Sequence, residues 1–457
     1  MNITNSKTNW AQKQIGDHCV VGDGAHASIK RQATGKMYLT SKNFKNGGLD
    51  LSKVDYISEV DYNKYFREDS KALSKPQAND VVFSIIGTIG EPYLVKPQDN
   101  FGLSSSVSIL RPDKSVIFPE YLYYWSQGHI FQNALYGIKG GVAQSYVSLE
   151  MIRGLPLYYP GLPTQRKIAG ILSAYDDLIE NNTRRIKILE EIARSLYREW
   201  FVNFRFPGHE QVKMVDLELG VIPEGWEVRG IGEIIETIGG GTPSTKNSEY
   251  WEDGNIIWYT PSDLTSANTM FIADSEKKIT ALGLQKSSAR MFPPYSVMMT
   301  SRATIGVTAI NTKSACTNQG FITCIPNEQL SAYQIYFWVA ENVEKIISLA
   351  SGATFKEINK TTFRKLPIVI ATHDTRQRFV EILNPICKQV ENLQNKNATL
   401  RRTRDLLLPK LISGEIDVEN LDIETGVTAA WDIPNYQKFS KNYAFILPNC
   451  TALACLA

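Results

Sequence analysis

Residues able to hydrogen-bond the edges of nucleic-acid bases gather in a few short polar loops of this 457-residue chain. Arg, Lys, Asn, Gln, Ser and Thr on loops suit base edges in a major groove, and Lys, Arg and helix N-termini suit phosphates. In the first half the loops are Asp23-Gly24-Ala25-His26, Thr40-Ser41-Lys42-Asn43 and Lys139-Gly140-Gly141-Val142-Ala143-Gln144. They nominate His26, Lys42, Asn43, Lys139 and Gln144 as DNA-contacting candidates. In the second half the run Gly239 to Lys246, the run Thr260-Pro261-Ser262-Asp263, and two single residues nominate Lys246, Ser262, Asp263, Arg302 and Lys356. For each of them the competing reading is a solvated surface loop. Thr88 and Thr304 read as structural, each holding a strand end.

Catalytic chemistry finds less support. Phe292-Pro293-Pro294-Tyr295 resembles the Asn-Pro-Pro-Tyr motif of adenine methyltransferases, but Phe stands where the amide that would bond the target amine is needed. It reads as a turn before a strand at Ser296 to Thr300. Gly239-Gly240-Gly241 lacks the Gly-Lys-Ser/Thr ending of a phosphate loop. The histidines His18, His26, His129, His209 and His373 do not join cysteines at metal-ligand spacing. No Ser/His/Asp grouping stands out. Asp176-Asp177 and Glu190-Glu191 fall on the polar side of a helical pattern, where a solvated charge is the default expectation.

The bulk properties narrow the class of partner and compartment. With 49 basic and 47 acidic residues the net charge is only +2, which excludes a strongly basic blanket but permits local patches. The six cysteines form no Cys-x-x-Cys pair and suggest no disulfide framework, so a reduced cytoplasmic setting is expected. The polar N-terminus is unlike a signal peptide, and no apolar run approaches the ~20 residues of a membrane helix.

The elements that position these loops occur twice. Residues 141–200 lie on residues 352–411 without a gap at an offset of 211, pairing Leu155-Pro156 with Leu366-Pro367, Glu180-Asn181 with Glu391-Asn392, and Leu189 with Leu400. Upstream, Trp10, Gly16 and Thr88-Ile89-Gly90 match Trp226, Gly232 and Thr304-Ile305-Gly306 at an offset of 216. Each half reads as a globular part with short β-prone runs, such as residues 81–86, 106–110 and 320–325, with short helices at 119–133 and 331–350.

A long helix follows each globular part. In the first, Ile168, Ile171, Leu172, Tyr175, Leu178, Ile179, Asn182, Ile186, Leu189, Ile192, Leu196 and Trp200 recur at steps of three and four. Pro163 before it, Thr164 as cap and Pro207-Gly208 as stop would bound it. The second repeats the stripe with Phe379, Ile382, Leu383, Ile386, Val390, Leu393, Leu400, Leu407 and Leu411, and Pro409 and Gly414 would end it. Each stripe has one polar interruption, Asn182 and Asn397, of the kind that fixes register in a helix pair. Stripes this narrow need a partner, and the other copy running antiparallel is the obvious one. The expected helix interface is Ile171, Leu172, Tyr175, Leu189, Leu196, Ile382, Leu383, Ile386, Leu400 and Leu407.

The expected fold is therefore α+β: two similar α/β lobes and two long helices pairing as an antiparallel coiled coil, with a pseudo-two-fold internal repeat. The boundaries are 1–160 and 211–370 for the lobes, 161–210 and 371–418 for the helices, and 419–457 for an irregular tail. Dissimilar lobes on a fixed rod would act as a caliper on a split DNA sequence.

Here the residues resemble a known family. Leu155-Pro156, Pro163-Thr164-Gln165-Arg166-Lys167-Ile168 and Asp177-Leu178-Ile179-Glu180-Asn181-Asn182 look like the first spacer helix of type I restriction specificity subunits. Leu366-Pro367 to Leu408-Pro409-Lys410-Leu411-Ile412-Ser413-Gly414-Glu415-Ile416 looks like the second. Phe83-Ser84 with Gly87-Thr88-Ile89-Gly90, and Thr300-Ser301-Arg302 with Thr304-Ile305-Gly306, resemble the core strand of that family's target recognition domains. Ile222-Pro223-Glu224-Gly225-Trp226 resembles that family's usual lobe entry. The resemblance covers about 1–418.

The resemblance implies a non-catalytic specificity subunit that reads a bipartite, asymmetric target in double-stranded DNA. It implies binding to two methyltransferase subunits and two restriction/translocase subunits, with S-adenosylmethionine, ATP and Mg belonging to those partners and no cofactor or metal of its own. The alternatives are a non-catalytic coiled-coil scaffold or the reader domain of a fused restriction enzyme. The sequence departs from its own repeat at Arg302, which aligns with Ile86, so that charge is not shared by the first lobe.

Overall fold

A computed structural model describes residues 10–421, apart from 46, 71, 139–145, 218–219 and 353–355. Lys139, Gln144 and most of the tail therefore lie outside the described residues. The chain divides into two compact units, residues 1–175 with 404–457, and residues 176–403. Each unit comprises one lobe, the end of one long helix and the beginning of the other.

In the first unit, strands Cys19–Asp23, Val107–Pro112, Val81–Ser84 and Pro92–Leu94 form a four-stranded sheet in that order. A three-stranded sheet orders Asp55–Ile57, Lys36–Leu39 and Phe101–Leu103, and Ala11–Gln14 pairs with Pro156–Tyr159. The second unit repeats this plan with Glu236–Ile238, Phe321–Ile325, Val297–Thr300 and Thr308–Asn311, adding Phe271–Ile272 at the edge. Its three-stranded sheet is Lys278–Ile279, Ile256–Tyr259 and Cys316–Thr317, and Glu227–Gly230 pairs with Pro367–Ile370. Register repeats as well: Ser84 opposes Val107, and Thr300 opposes Phe321. The central strands Val81–Ser84 and Val297–Thr300 are buried on both faces, which explains why they read as continuous apolar runs rather than alternating ones.

The two long helices, Leu162–Phe201 and His373–Ile412, are 40 residues each. They pack antiparallel in both units. In the first unit Ile168, Ala169 and Leu172 share a core with Leu411 and Ile412. In the second, Phe379 meets Tyr197, Trp200 and Phe201 at ring-centroid distances of 6.2, 5.5 and 4.7 Å. Phe201 also contacts Trp226, so the start of the second lobe is fastened to the end of the first helix. Glu341 of the helix Ala332–Ser348 receives Arg194 at 2.6 Å and Arg198 at 2.9 Å.

Within the helix stripe, Leu172, Leu196, Leu383 and Ile386 are buried, and Ile171, Tyr175, Leu189, Ile382, Leu400 and Leu407 are half-buried. Leu178 and Ile192, by contrast, are exposed. The inward positions keep a strict alternation of three- and four-residue steps from Leu172 to Trp200, in which Ile179 and Ala193 are seam residues and Leu178 and Ile192 fall one place outside it. The expected caps also differ. The first helix begins at Leu162, so Pro163 and Thr164 are already helical, and it ends at Phe201, before Pro207. Pro409 is inside the last turn of the second helix, whose chain leaves through Gly414 at φ 73°. Glu190 is not a solvated charge: it packs toward Met270, and desolvation lifts its carboxyl to about 6.

Cys19, Cys316, Cys324 and Cys387 are free and buried, and burial pushes the first three thiols up to about 12. They stay protonated and behave as small apolar residues. Among the described residues no helix is long and apolar enough to cross a membrane, and no group of three or more His, Cys, Asp or Glu could hold a metal ion.

Candidate nucleic-acid interface

In the second unit the chain leaves strand Val297–Thr300 and turns through Arg302-Ala303-Thr304. Thr300 anchors the turn: its hydroxyl accepts the Val307 N–H at 3.0 Å and its carbonyl accepts the Gly306 N–H at 2.9 Å. Ala303 is held at φ 57°, a left-handed conformation costing an L residue roughly 1–2 kcal/mol. The turn is clipped from the other side. The Ala303 N–H donates to the Lys356 carbonyl at 3.2 Å, and the Ile358 N–H donates to the Ser301 carbonyl at 3.0 Å.

Beside this turn lie the first residues of helix Pro261–Ala267 and the loop Asn318-Gln319-Gly320. Ser262, Thr265, Arg302, Thr304, Asn318 and Gln319 provide the polar lining of an open hollow of about 350 Å³. A second hollow of about 420 Å³ is bounded by Arg302, Ala303, Lys356 and Glu357. Arg302 belongs to both, and its Nε lies 2.8 Å from Glu357 Oε1. The structure thus brings together Ser262, Arg302 and Lys356 from the residues expected to contact DNA. Lys246 is exposed but lines neither hollow.

The first unit builds the same rim from different side chains. Ser84 takes the place of Thr300, accepting the Glu91 N–H on its hydroxyl at 3.3 Å and the Gly90 N–H on its carbonyl at 2.9 Å. Gly87, at φ 80°, stands where the second unit has Ala303. The Val147 N–H donates to the Ile85 carbonyl at 3.1 Å, matching Ile358 and Ser301. Ile86 bridges Tyr146 where Arg302 bridges Glu357. The neighbouring turn Ser41–Asn43 is tied to the loop Ser104-Ser105-Ser106 by the Ser41 N–H donating to Ser106 Oγ at 3.0 Å. Gly24 and Gly240 run so close to the backbone carbonyls of Leu103 and Thr317 that no side chain fits.

Two of the residues expected to contact DNA are engaged in shaping the turns themselves. Asn43 is 4% exposed. Its amide donates to the Asp50 and Lys53 carbonyls at 3.0 and 2.9 Å, and its oxygen accepts the Thr40 N–H at 3.0 Å. Asp263 occupies the same position in the second unit, accepting the Thr260 N–H at 2.7 Å and the Glu276 N–H at 2.8 Å. Both are capping-box residues that shape the turn, while the exposed neighbours Lys42 and Ser262 face solvent. His26 is exposed and its Nε2 meets Asp23 Oδ2 at 2.7 Å. Partial burial lifts the Asp23 carboxyl above its ordinary value, and His26 opposes that shift.

Thr88 and Thr304 are exposed at the turn tips; the anchoring hydroxyls are those of Ser84 and Thr300. Thr265, Asn318, Gln319 and the Ser104–Ser106 loop were not singled out in the sequence. For all but Thr265 the signal was a short stretch running directly into a buried strand in both halves, Ser104-Ser105-Ser106 and Asn318-Gln319-Gly320. Chemically, the rims offer donors and acceptors on shallow convergent loops. That suits recognition of an edge bearing hydrogen-bonding groups, such as the major-groove face of base pairs.

Comparison with known proteins agrees in sequence and in fold. The sequence pattern described as "Type I restriction modification DNA specificity domain" matches residues 7–191 and again 223–402. The HindI specificity subunit of Haemophilus influenzae is 25% identical over 410 residues, covering 76% of this chain and 88% of that protein. The MjaIX specificity subunit of Methanocaldococcus jannaschii is 32% identical over 315 residues, covering 67% of this chain and 71% of that protein. In three dimensions, the crystal structure of the type I restriction-modification S subunit from M. genitalium aligns with a TM-score of 0.55 at 14% identity, over 89% of this chain and 97% of that one.

Proposed function

Because the chain belongs to the type I restriction modification DNA specificity family, matched over both of its halves, we propose that it selects the DNA sequence for a restriction-modification complex and performs no catalysis itself. One observation carries this reading: the same loop-built rim is made twice, with equivalent backbone clips and different side chains at the surface. Two reading heads with unlike surfaces match an asymmetric, two-part target in double-stranded DNA. The paired helices are the surface for two methyltransferase subunits, and two restriction/translocase subunits complete the complex. S-adenosylmethionine, ATP and Mg are used by those partners.

The near-neutral charge fits a subunit that binds DNA firmly only inside its complex. The test is methylated-base sequencing of a host carrying the chain with its modification subunits. A two-part methylated motif that vanishes when this chain is removed supports the reading. Methyl transfer by the isolated chain, or salt-insensitive indifference of the complex to duplex DNA, overturns it.

A further inference from the structure

We propose that Arg302, positioned by Glu357, reads a guanine in the half-site taken by the second unit, and that the first unit does not share this contact. The inference rests on the DNA-reading role proposed above. An arginine presents only donors, in a rigid fork, and guanine is the base whose major-groove edge offers two acceptors, N7 and O6. Arg302 projects from a turn with little freedom: its neighbour Ala303 is left-handed, hydrogen-bonded to Lys356, and the turn is anchored by Thr300. Glu357 adds a side-chain restraint, approaching most closely at Nε, the inner nitrogen of the guanidinium.

That restraint also favours base reading over phosphate binding. A carboxylate at 2.8 Å offsets part of the guanidinium's charge and engages its inner nitrogen, leaving the outer donor fork chemically intact. A phosphate clamp draws on net charge and counterion release, whereas a base edge is recognised by donor geometry. At the corresponding position of the first unit, Ile86 and Tyr146 provide no cationic donor. The two heads thus differ in chemistry at one matched point of otherwise equivalent turns.

The experiment uses the full chain assembled with its modification subunits. Wild type, Arg302→Ala, Arg302→Lys and Glu357→Gln are compared by methylated-base sequencing, and by competition with duplexes altered one position at a time. The expected result for Arg302→Ala is relaxation at one guanine of one half-site. Discrimination there falls about tenfold to a hundredfold, with the other half-site and the salt dependence unchanged. Arg302→Lys retains part of that discrimination. Glu357→Gln weakens discrimination at the same position while raising affinity for unrelated duplex, because the cation is no longer neutralised. An unchanged motif in Arg302→Ala overturns the inference. So does uniform weakening across all sequences with the salt slope shallower by about one, the signature of a phosphate contact. A wild-type complex with no two-part motif instead removes the underlying DNA-reading role, so the two failures are told apart.

Discussion

Asn182 and Asn397, one from each long helix, hydrogen-bond to each other side chain to side chain at 2.9 Å in the buried seam of the helix pair. Asn397 also donates to the Ile179 carbonyl at 3.3 Å and to the Thr183 hydroxyl at 3.2 Å. Replacing one Asn by Leu leaves its partner's amide buried without its mate, at a cost of about 1–3 kcal/mol. Asn182→Leu and Asn397→Leu should each lower the urea midpoint, and the double replacement should cost less than the sum of the two. Additive losses would show that the pair is not coupled.

The capping residues and their exposed neighbours should separate stability from DNA reading. Asn43→Ala and Asp263→Ala strand the backbone groups these side chains satisfy and should each destabilise by about 1–3 kcal/mol in thermal unfolding. Lys42→Ala and Ser262→Ala should leave unfolding unchanged and alter only DNA affinity or selectivity. Equal thermal losses in both groups would contradict the assignment.

Glu190 gives the second unit a pH dependence of definite sign. Its carboxyl rises from an ordinary 4.5 to about 6 in the fold, because packing strips away water. The folded state therefore holds the proton more tightly. This contribution is fully present below pH 4.5 and is lost as pH rises through 6. Glu190→Gln should accordingly stabilise the protein by about 1 kcal/mol at pH 8, after discounting for residual solvent contact, and by little at pH 4. Chemical denaturation at the two pH values measures it, and an equal effect at both refutes the desolvation account.

The matched turns also predict a transplant. Ile86→Arg combined with Tyr146→Glu places the second unit's ion pair on the equivalent turn of the first. Methylated-base sequencing should then show a new guanine preference in the half-site that Arg302→Ala leaves untouched. No change of motif would mean that the turns are not equivalent in their approach to DNA.

Helix-period stripes, the repeat at fixed offsets and the polar interruptions at Asn182 and Asn397 were legible in the residues alone. Side-chain period and hydrophobicity are local properties, and they dictate that a long narrow stripe must find a matching partner. Which stripe residues turn inward was not legible. Leu178 and Ile192 face solvent because the seam takes their neighbours Ile179 and Ala193, and Tyr197 is buried among Phe201, Phe337 and Phe379; only packing selects between adjacent apolar residues. The reading loops were likewise visible as polar stretches, but the sequence could not divide them into surface and scaffold. Lys42 and Asn43 are adjacent and equally polar, yet one is exposed and the other is consumed by four backbone and side-chain partners. Only the fold decides whether a polar group's hydrogen bonds are already satisfied, because their partners lie on segments that tertiary structure brings together, as Glu357 is brought to Arg302.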